Sequence, residues 1–210
     1  MAARLPTEIT RAPMRTVRGV DLVNLYRNPA KELGRLAKTG ALKKLARGIY
    51  TAVPDTFDAE TWTPLLNDAG MAVATALDGE RVPVLMGIGA ARFHHAVPRE
   101  IGTTVIAVPT QRRAMELPMG RVRFVKRNVG ALDVRLEATD LGQVLVTTPE
   151  QTVYDLLTRP ELGTTPREAY AAVEALRPQI DPARFHALVA EKRRNAAVLE
   201  FEQALDRGTR

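Results

Sequence analysis

Two of the side chains most used for covalent chemistry are missing from this chain: it has no cysteine and no serine. Disulfides, thiolate metal sites and cysteine or serine nucleophiles are therefore excluded. Three histidines remain, His94, His95 and His186. Neighbouring residues on a helix point about 100° apart, so His94 and His95 do not share one metal without carboxylates recruited from elsewhere, and structural or surface roles are expected. Gly87 and Gly89 in GIGAAR follow an apolar stretch as a phosphate-binding turn does. The third glycine and the acid of the dinucleotide fingerprint are missing, however, and close packing at a helix start is the expectation. Neither GxxxxGK[ST] nor the kinase motifs occur. Pairs of acids such as Glu150 with Asp155, or Asp133 with Glu137, have no companion signal beyond capping and surface pairing. No catalytic residue, cofactor or metal is expected.

The chemistry that does stand out is positive charge. Of the chain's 30 Lys and Arg, 11 lie within residues 1–56 against only 4 of its 24 acids, so that segment carries +7 and the remainder −1. Such asymmetry points to a polyanion-binding module joined to a near-neutral domain, with a merely solvated basic end as the alternative. Its centre is KTGALKKLARGIYTAVP, residues 38–54. Arg112-Arg113 and RVRFVKR (121–127) form a second basic patch, read either as a contact with nucleic acid or an acidic partner or as a polar outer strand face.

Local signals say which elements carry the first patch. Val20, Val23 and Leu25 or Tyr26 recur near helical spacing between Gly19 and Asn28-Pro29, predicting a short helix. Asn28 caps a second helix with Pro29 at its first position, Leu33 and Leu36 repeat at i, i+3, and Gly40 stops it. Ala41–Ala46 and Ile49–Val53 then read as two strands around Arg47-Gly48. Helix, turn, helix and β-hairpin within about 40 residues is the order of a winged helix-turn-helix. A helix of that kind fits the major groove of DNA. Arg27, Asn28, Lys31, Arg35 and Lys38 line the second helix, and Lys43, Lys44 and Arg47 decorate the wing. Asn28 or Arg35 is placed to read a base edge, whereas the lysines contact phosphates.

Beyond Pro54 the pattern changes. Ala59–Leu77 reads as helical with a bend or late start at Pro64. Val82–Met86 reads as a strand or a helix start, and Thr103–Val108, Val122–Val125 and Val144–Val146 as strands. Thr148-Pro149-Glu150-Gln151 and Thr165-Pro166-Arg167-Glu168 are capping boxes that start helices reaching Leu157 and Leu176. Asp181-Pro182 opens a helical tail with Phe185, Leu188, Val189, Val198, Leu199, Phe201 and Leu205 to bury. The fold class is α+β: a winged helix-turn-helix over 1–56, then a mixed α/β domain with a helical C-terminus over 57–210. No run approaches the roughly 18 apolar residues of a membrane span, so a cytoplasmic protein with no membrane contact is expected.

Taken in order, KTGALKKLARGIY, PVLMGIGAARFHHAVPRE, TTVIAVPTQRR, VRFVKRN, LDV and VTTPEQTVYDLL resemble the AbiEi-type antitoxins of bacterial toxin–antitoxin operons, in an actinobacterial variety. The resemblance covers roughly residues 17–195. It implies a winged helix that binds operator repeats upstream of its own gene and represses the operon, and a C-terminal antitoxin domain opposing a cognate nucleotidyltransferase toxin. By motif matching, Lys43, Lys44 and Arg47 fall on the family's basic wing and Lys31, Arg35 and Lys38 on its recognition helix. Neutralisation there is often described without a stable toxin complex. A phosphotransferase acting on the toxin and a stoichiometric toxin-masking protein are the alternative readings, and paired half-sites suggest a dimer on DNA.

Overall fold

Asn28 and Pro29 begin the element on which the rest of the basic segment is built. In the computed structural model, which describes residues 5–97, 102–190 and 192–208, helix α2 spans Pro29–Lys38. The Asn28 side chain accepts a hydrogen bond from the Lys31 amide at 3.1 Å, satisfying one of the free N–H groups of the first turn. Gly40 follows at φ +80°, the left-handed stop that glycine adopts without a Cβ clash. Before α2 come a one-turn helix α1 (Thr7–Thr10), strand β1 (Thr16–Arg18) and a 3-10 turn, Gly19–Leu22. After it, β2 (Leu42–Ala46) and β3 (Ile49–Ala52) form the hairpin. The three strands make an antiparallel sheet in the order β1-β3-β2.

The region expected as a short helix before α2 is shorter and tighter than its apolar spacing suggests. Val20 and Val23 are exposed and only Leu22 is buried, so no continuous apolar face supports an α-helix. A segment closed by Gly19 and Asn28-Pro29 is too short to offset the nucleation penalty without such a face. The Arg18–Asp21 pair, two contacts of 2.7 Å, pins its start instead.

The remaining strands form one mixed sheet in the order β6-β7-β5-β4-β9-β8. They are β4 (Val84–Met86), β5 (Thr103–Val108), β6 (Met115–Leu117), β7 (Gly120–Lys126), β8 (Val134–Thr139) and β9 (Gly142–Thr147). Alternation divides its two faces. Leu85, Ile106, Val108, Val122, Phe124, Val144 and Val146 pack with helix α3 (Leu66–Asp78). Val84, Met86, Val105, Ala107 and Val125 pack under α4 (Gly87–Phe93), α5 (Pro149–Thr158), α6 (Pro166–Leu176), α7 (Pro182–Ala190) and α8 (Ala196–Gly208). The chain is a mixed α+β protein with eight α-helices and two sheets among the described residues.

Helix α3 takes the late start, two residues after Pro64, while buried Trp62 precedes it in a turn against Phe57. The tail is two helices rather than one, because the Asn195 side chain caps α8 from the Val198 amide (3.0 Å) and donates to the Leu157 carbonyl. Glu191 and the Pro98–Glu100 end of the HHAVPRE motif lie outside the described residues.

The basic segment has its own small core of Ile9, Val17, Leu22, Leu33, Leu36, Leu42, Tyr50 and Ala52. Its hairpin serves two cores: Leu45, Ile49 and Val53 join Trp62, Leu66 and the sheet residues under α3. Removing about 25 cal/mol of cost per Å² of apolar surface, this second contact fastens the hairpin to the larger sheet.

Candidate nucleic-acid interface

Helix α2 has two chemically opposite sides. Leu33 and Leu36 are fully or almost fully buried on one. Lys31, Arg35 and Lys38, all exposed, stand at i, i+4 and i+7 and fall within a band of roughly 60° on the other. Arg27 and Asn28, also exposed, extend that band beyond the N-terminal turn, where unpaired N–H groups favour anions. The hairpin continues the charged surface. Strict alternation would put Leu42 and Lys44 on one face, but a bulge between Lys44 and Ala46 resets the register. Leu42 and Leu45 are therefore both buried while Lys44 and Arg47 face solvent and Lys43 is half-exposed. Gly48 makes the turn at φ +74°, and its carbonyl accepts from the Gly19 amide at 2.9 Å, tying the hairpin tip to the 3-10 turn.

Six of the eight residues singled out from the sequence carry no side-chain hydrogen bond or ion pair among the described residues: Arg27, Lys31, Lys38, Lys43, Lys44 and Arg47. The other two are engaged. Asn28 uses its amide oxygen as the helix cap. Arg35 grips Glu32 through contacts of 2.6 and 3.1 Å; this hydrogen-bonded pair holds the Glu32 carboxyl below its ordinary range and the Arg35 guanidinium above its own. The two residues best suited by type to read bases are thus the two already bonded, and Arg35 reaches a base edge only by leaving Glu32.

The second basic patch is largely absorbed by the protein. Arg112 is held by both Asp78 carboxylate oxygens, Arg121 pairs with Glu116 at 3.4 Å, Arg123 donates to the Glu161 carbonyl at 2.6 Å, and Arg127 meets buried Asp155 at 3.1 Å. Of the two readings, a strand face satisfied internally is the one its geometry favours.

Two of the three histidines have different partners. His94 Nε2 lies 2.7 Å from the Thr147 carbonyl, and burial pushes its pKa down. His186 sits between Glu202 (3.1 Å) and Asp206 (3.0 Å), and the hydrogen bond to Glu202 raises it. No group of three His, Cys, Asp or Glu among the described residues could hold a metal ion. At GIGAAR, a Cβ on Gly87 would stand 2.8 Å from the Leu162 carbonyl oxygen, and one on Gly89 2.5 Å from Thr104 Oγ1. Protein atoms fill the space that a phosphate-binding turn leaves open, so close packing accounts for both glycines.

No protein-family model and no curated protein matches the sequence. Solved structures do match it. The crystal structure of the RV2827C protein from Mycobacterium tuberculosis shares the fold, with a TM-score of 0.59 and 19% identity over 99% of this chain and 79% of that one. At that identity the likeness speaks for architecture alone.

Two features escape the sequence. The TTPEQ box is not reciprocal: Thr148 caps the Gln151 amide at 3.2 Å, but the Gln151 side-chain oxygen turns to the Asp133 amide (3.3 Å) and to Lys192 instead of back to the cap. Asp68, in the first turn of α3, lines a cavity of about 560 Å³ with Arg92, His95 and Asp140. Burial first, and then the Asp140 charge, raise its pKa to about 6. In the sequence Asp68 looks like an ordinary acid at a helix start, because the residues that bury it are distant in the chain.

Proposed function

We propose that the protein is a DNA-binding autorepressor and antitoxin whose basic N-terminal segment, a winged helix-turn-helix, docks on duplex DNA upstream of its own gene. The observation that carries this reading is the set of six unpartnered cations spread over the outer side of α2 and the adjoining hairpin. Supporting it is the order helix, strand, 3-10 turn, helix, hairpin, with the antiparallel strand order β1-β3-β2. In such an arrangement α2 enters the major groove and the hairpin lies along the neighbouring backbone, its lysines neutralising phosphates. A protein of this kind works in the cytoplasm, and paired half-sites call for a dimer on DNA.

The antitoxin half of the proposal rests on the resemblance of the ordered motifs to those of AbiEi-type antitoxins, whose counterpart is a nucleotidyltransferase toxin. Two experiments test it. Fluorescence anisotropy with the protein's own upstream duplex and a scrambled duplex is expected to give tight binding to the first and weak binding to the second, both salt-sensitive. Co-expression with the neighbouring gene is expected to relieve that gene product's toxicity, and unrelieved toxicity refutes the antitoxin assignment. Filled glycines at GIGAAR weaken the phosphotransferase alternative; an unchanged toxin mass after incubation with the protein and ATP would remove it.

A further inference from the structure

Gly34 lies inside the ten-residue helix α2, where glycine is less favourable than alanine by roughly 0.5–1 kcal/mol. Nothing in the fold requires it. Its φ is not positive, so no turn or cap depends on it. A Cβ built there meets no atom within 4 Å, so no neighbour needs the space. Other glycines differ: at Gly70 the nearest atom is Thr104 Cγ2 at 3.0 Å, and at Gly163 it is Ala169 Cβ at 2.5 Å. Those are small because protein presses on them. Gly34, half-buried, has open space beside it, about 40° outside the Lys31–Arg35–Lys38 band on the flank next to Lys38 and roughly 100° or more from the buried Leu33 and Leu36. A destabilising residue that the fold does not use, bordering cations of which only Arg35 finds a partner in the protein, marks a place kept clear for something outside it.

We propose that Gly34 is the point of closest approach between α2 and the DNA, a notch that lets the helix backbone sit against the edge of the groove while Lys31 and Lys38 reach the phosphates on either side. The geometry is that of a ridge meeting a convex helix: without a side chain at position 34 the flank of α2 lies closer to the wall of the groove, and Asn28 and Arg35, roughly 100–120° round the helix, come within reach of the base edges. Any side chain there holds the whole helix away. Gly34 is on this account a positioning residue that sets how deeply the helix reads the groove. The inference rests on the DNA-binding reading above.

Gly34→Ala and Gly34→Leu separate fold from function, because both residues are better helix formers than glycine. Thermal unfolding is expected to show both variants folded, with the alanine variant melting higher than the original protein. Anisotropy with the upstream duplex is expected to show weaker binding, roughly tenfold for alanine and a hundredfold or more for leucine, the scale of one or two mismatched base pairs. Affinity for an unrelated duplex, held by phosphates alone, is expected to change far less. If the leucine variant keeps the original preference for the upstream duplex, the notch is refuted while DNA binding stands. If the unaltered protein shows no such preference, the DNA-binding reading itself fails and the notch falls with it.

Discussion

Changing Lys43, Lys44 and Arg47 together to alanine removes half of the six unpartnered cations without touching Leu42, Leu45 or Ile49, which are buried. Since none of the three side chains makes a hydrogen bond or ion pair among the described residues, the fold loses little, and unfolding is expected within about 0.5 kcal/mol of the original protein. Binding is another matter. Each neutralised phosphate contributes about 0.9 to the slope of log K against log salt, so full contact by all six would give a slope near −5 and the triple variant one near −3. At about 0.15 M salt the lost counterion release amounts to roughly 2 logarithmic units, about 3 kcal/mol. Anisotropy titrations between about 0.05 and 0.3 M salt measure both quantities. The loss should be similar for specific and unrelated duplexes, because phosphates carry no sequence. A variant with unchanged slope and affinity would refute the role given to the hairpin.

Asp68→Asn tests the buried carboxyl. Folding raises its pKa from an ordinary 3.8 to about 6, so the folded state holds its proton more tightly and stability falls as pH rises through that window, by up to about 3 kcal/mol above it. The variant should melt higher than the original at pH 7.5 and lose that advantage below pH 4; an equal difference at both would contradict the assignment. Gly87→Ala, at φ +55° with the Leu162 carbonyl oxygen 2.8 Å from the new Cβ, should lower stability by about 2–4 kcal/mol in urea unfolding. Asn28→Ala removes the α2 cap and should cost about 1 kcal/mol by the same measurement.

What could be read from the sequence were the features settled within a few residues. The Asn28-Pro29 cap, the Gly40 stop and the Arg47-Gly48 turn are local, and the structure has all three. Strands β1, β6 and β8 were not legible: the first two have only three residues each, too few to show alternation, and β8 is an edge strand half open to solvent. Tertiary partners decided the rest. Nothing near Arg112, Arg123 or Arg127 in sequence announces Asp78, the Glu161 carbonyl or Asp155, which take up their charge. Likewise, the pull of Asp133 and Lys192 on Gln151 undoes a capping box that is sound as a local pattern. The eight candidate residues were legible as a set, and the two that are engaged, Arg35 by Glu32 one turn away and Asn28 by its cap, have partners close in sequence; that the other six meet no partner from elsewhere in the chain is decided by the tertiary fold.

The central claim is that the outer side of α2 and the hairpin bind the DNA upstream of this gene. Its most direct test is a titration of the purified full chain, at about 0.15 M salt, against that duplex and a scrambled duplex of equal length and composition. The account predicts at least about a thousandfold preference for the upstream duplex; equal affinity for the two, or no binding to either, would contradict it.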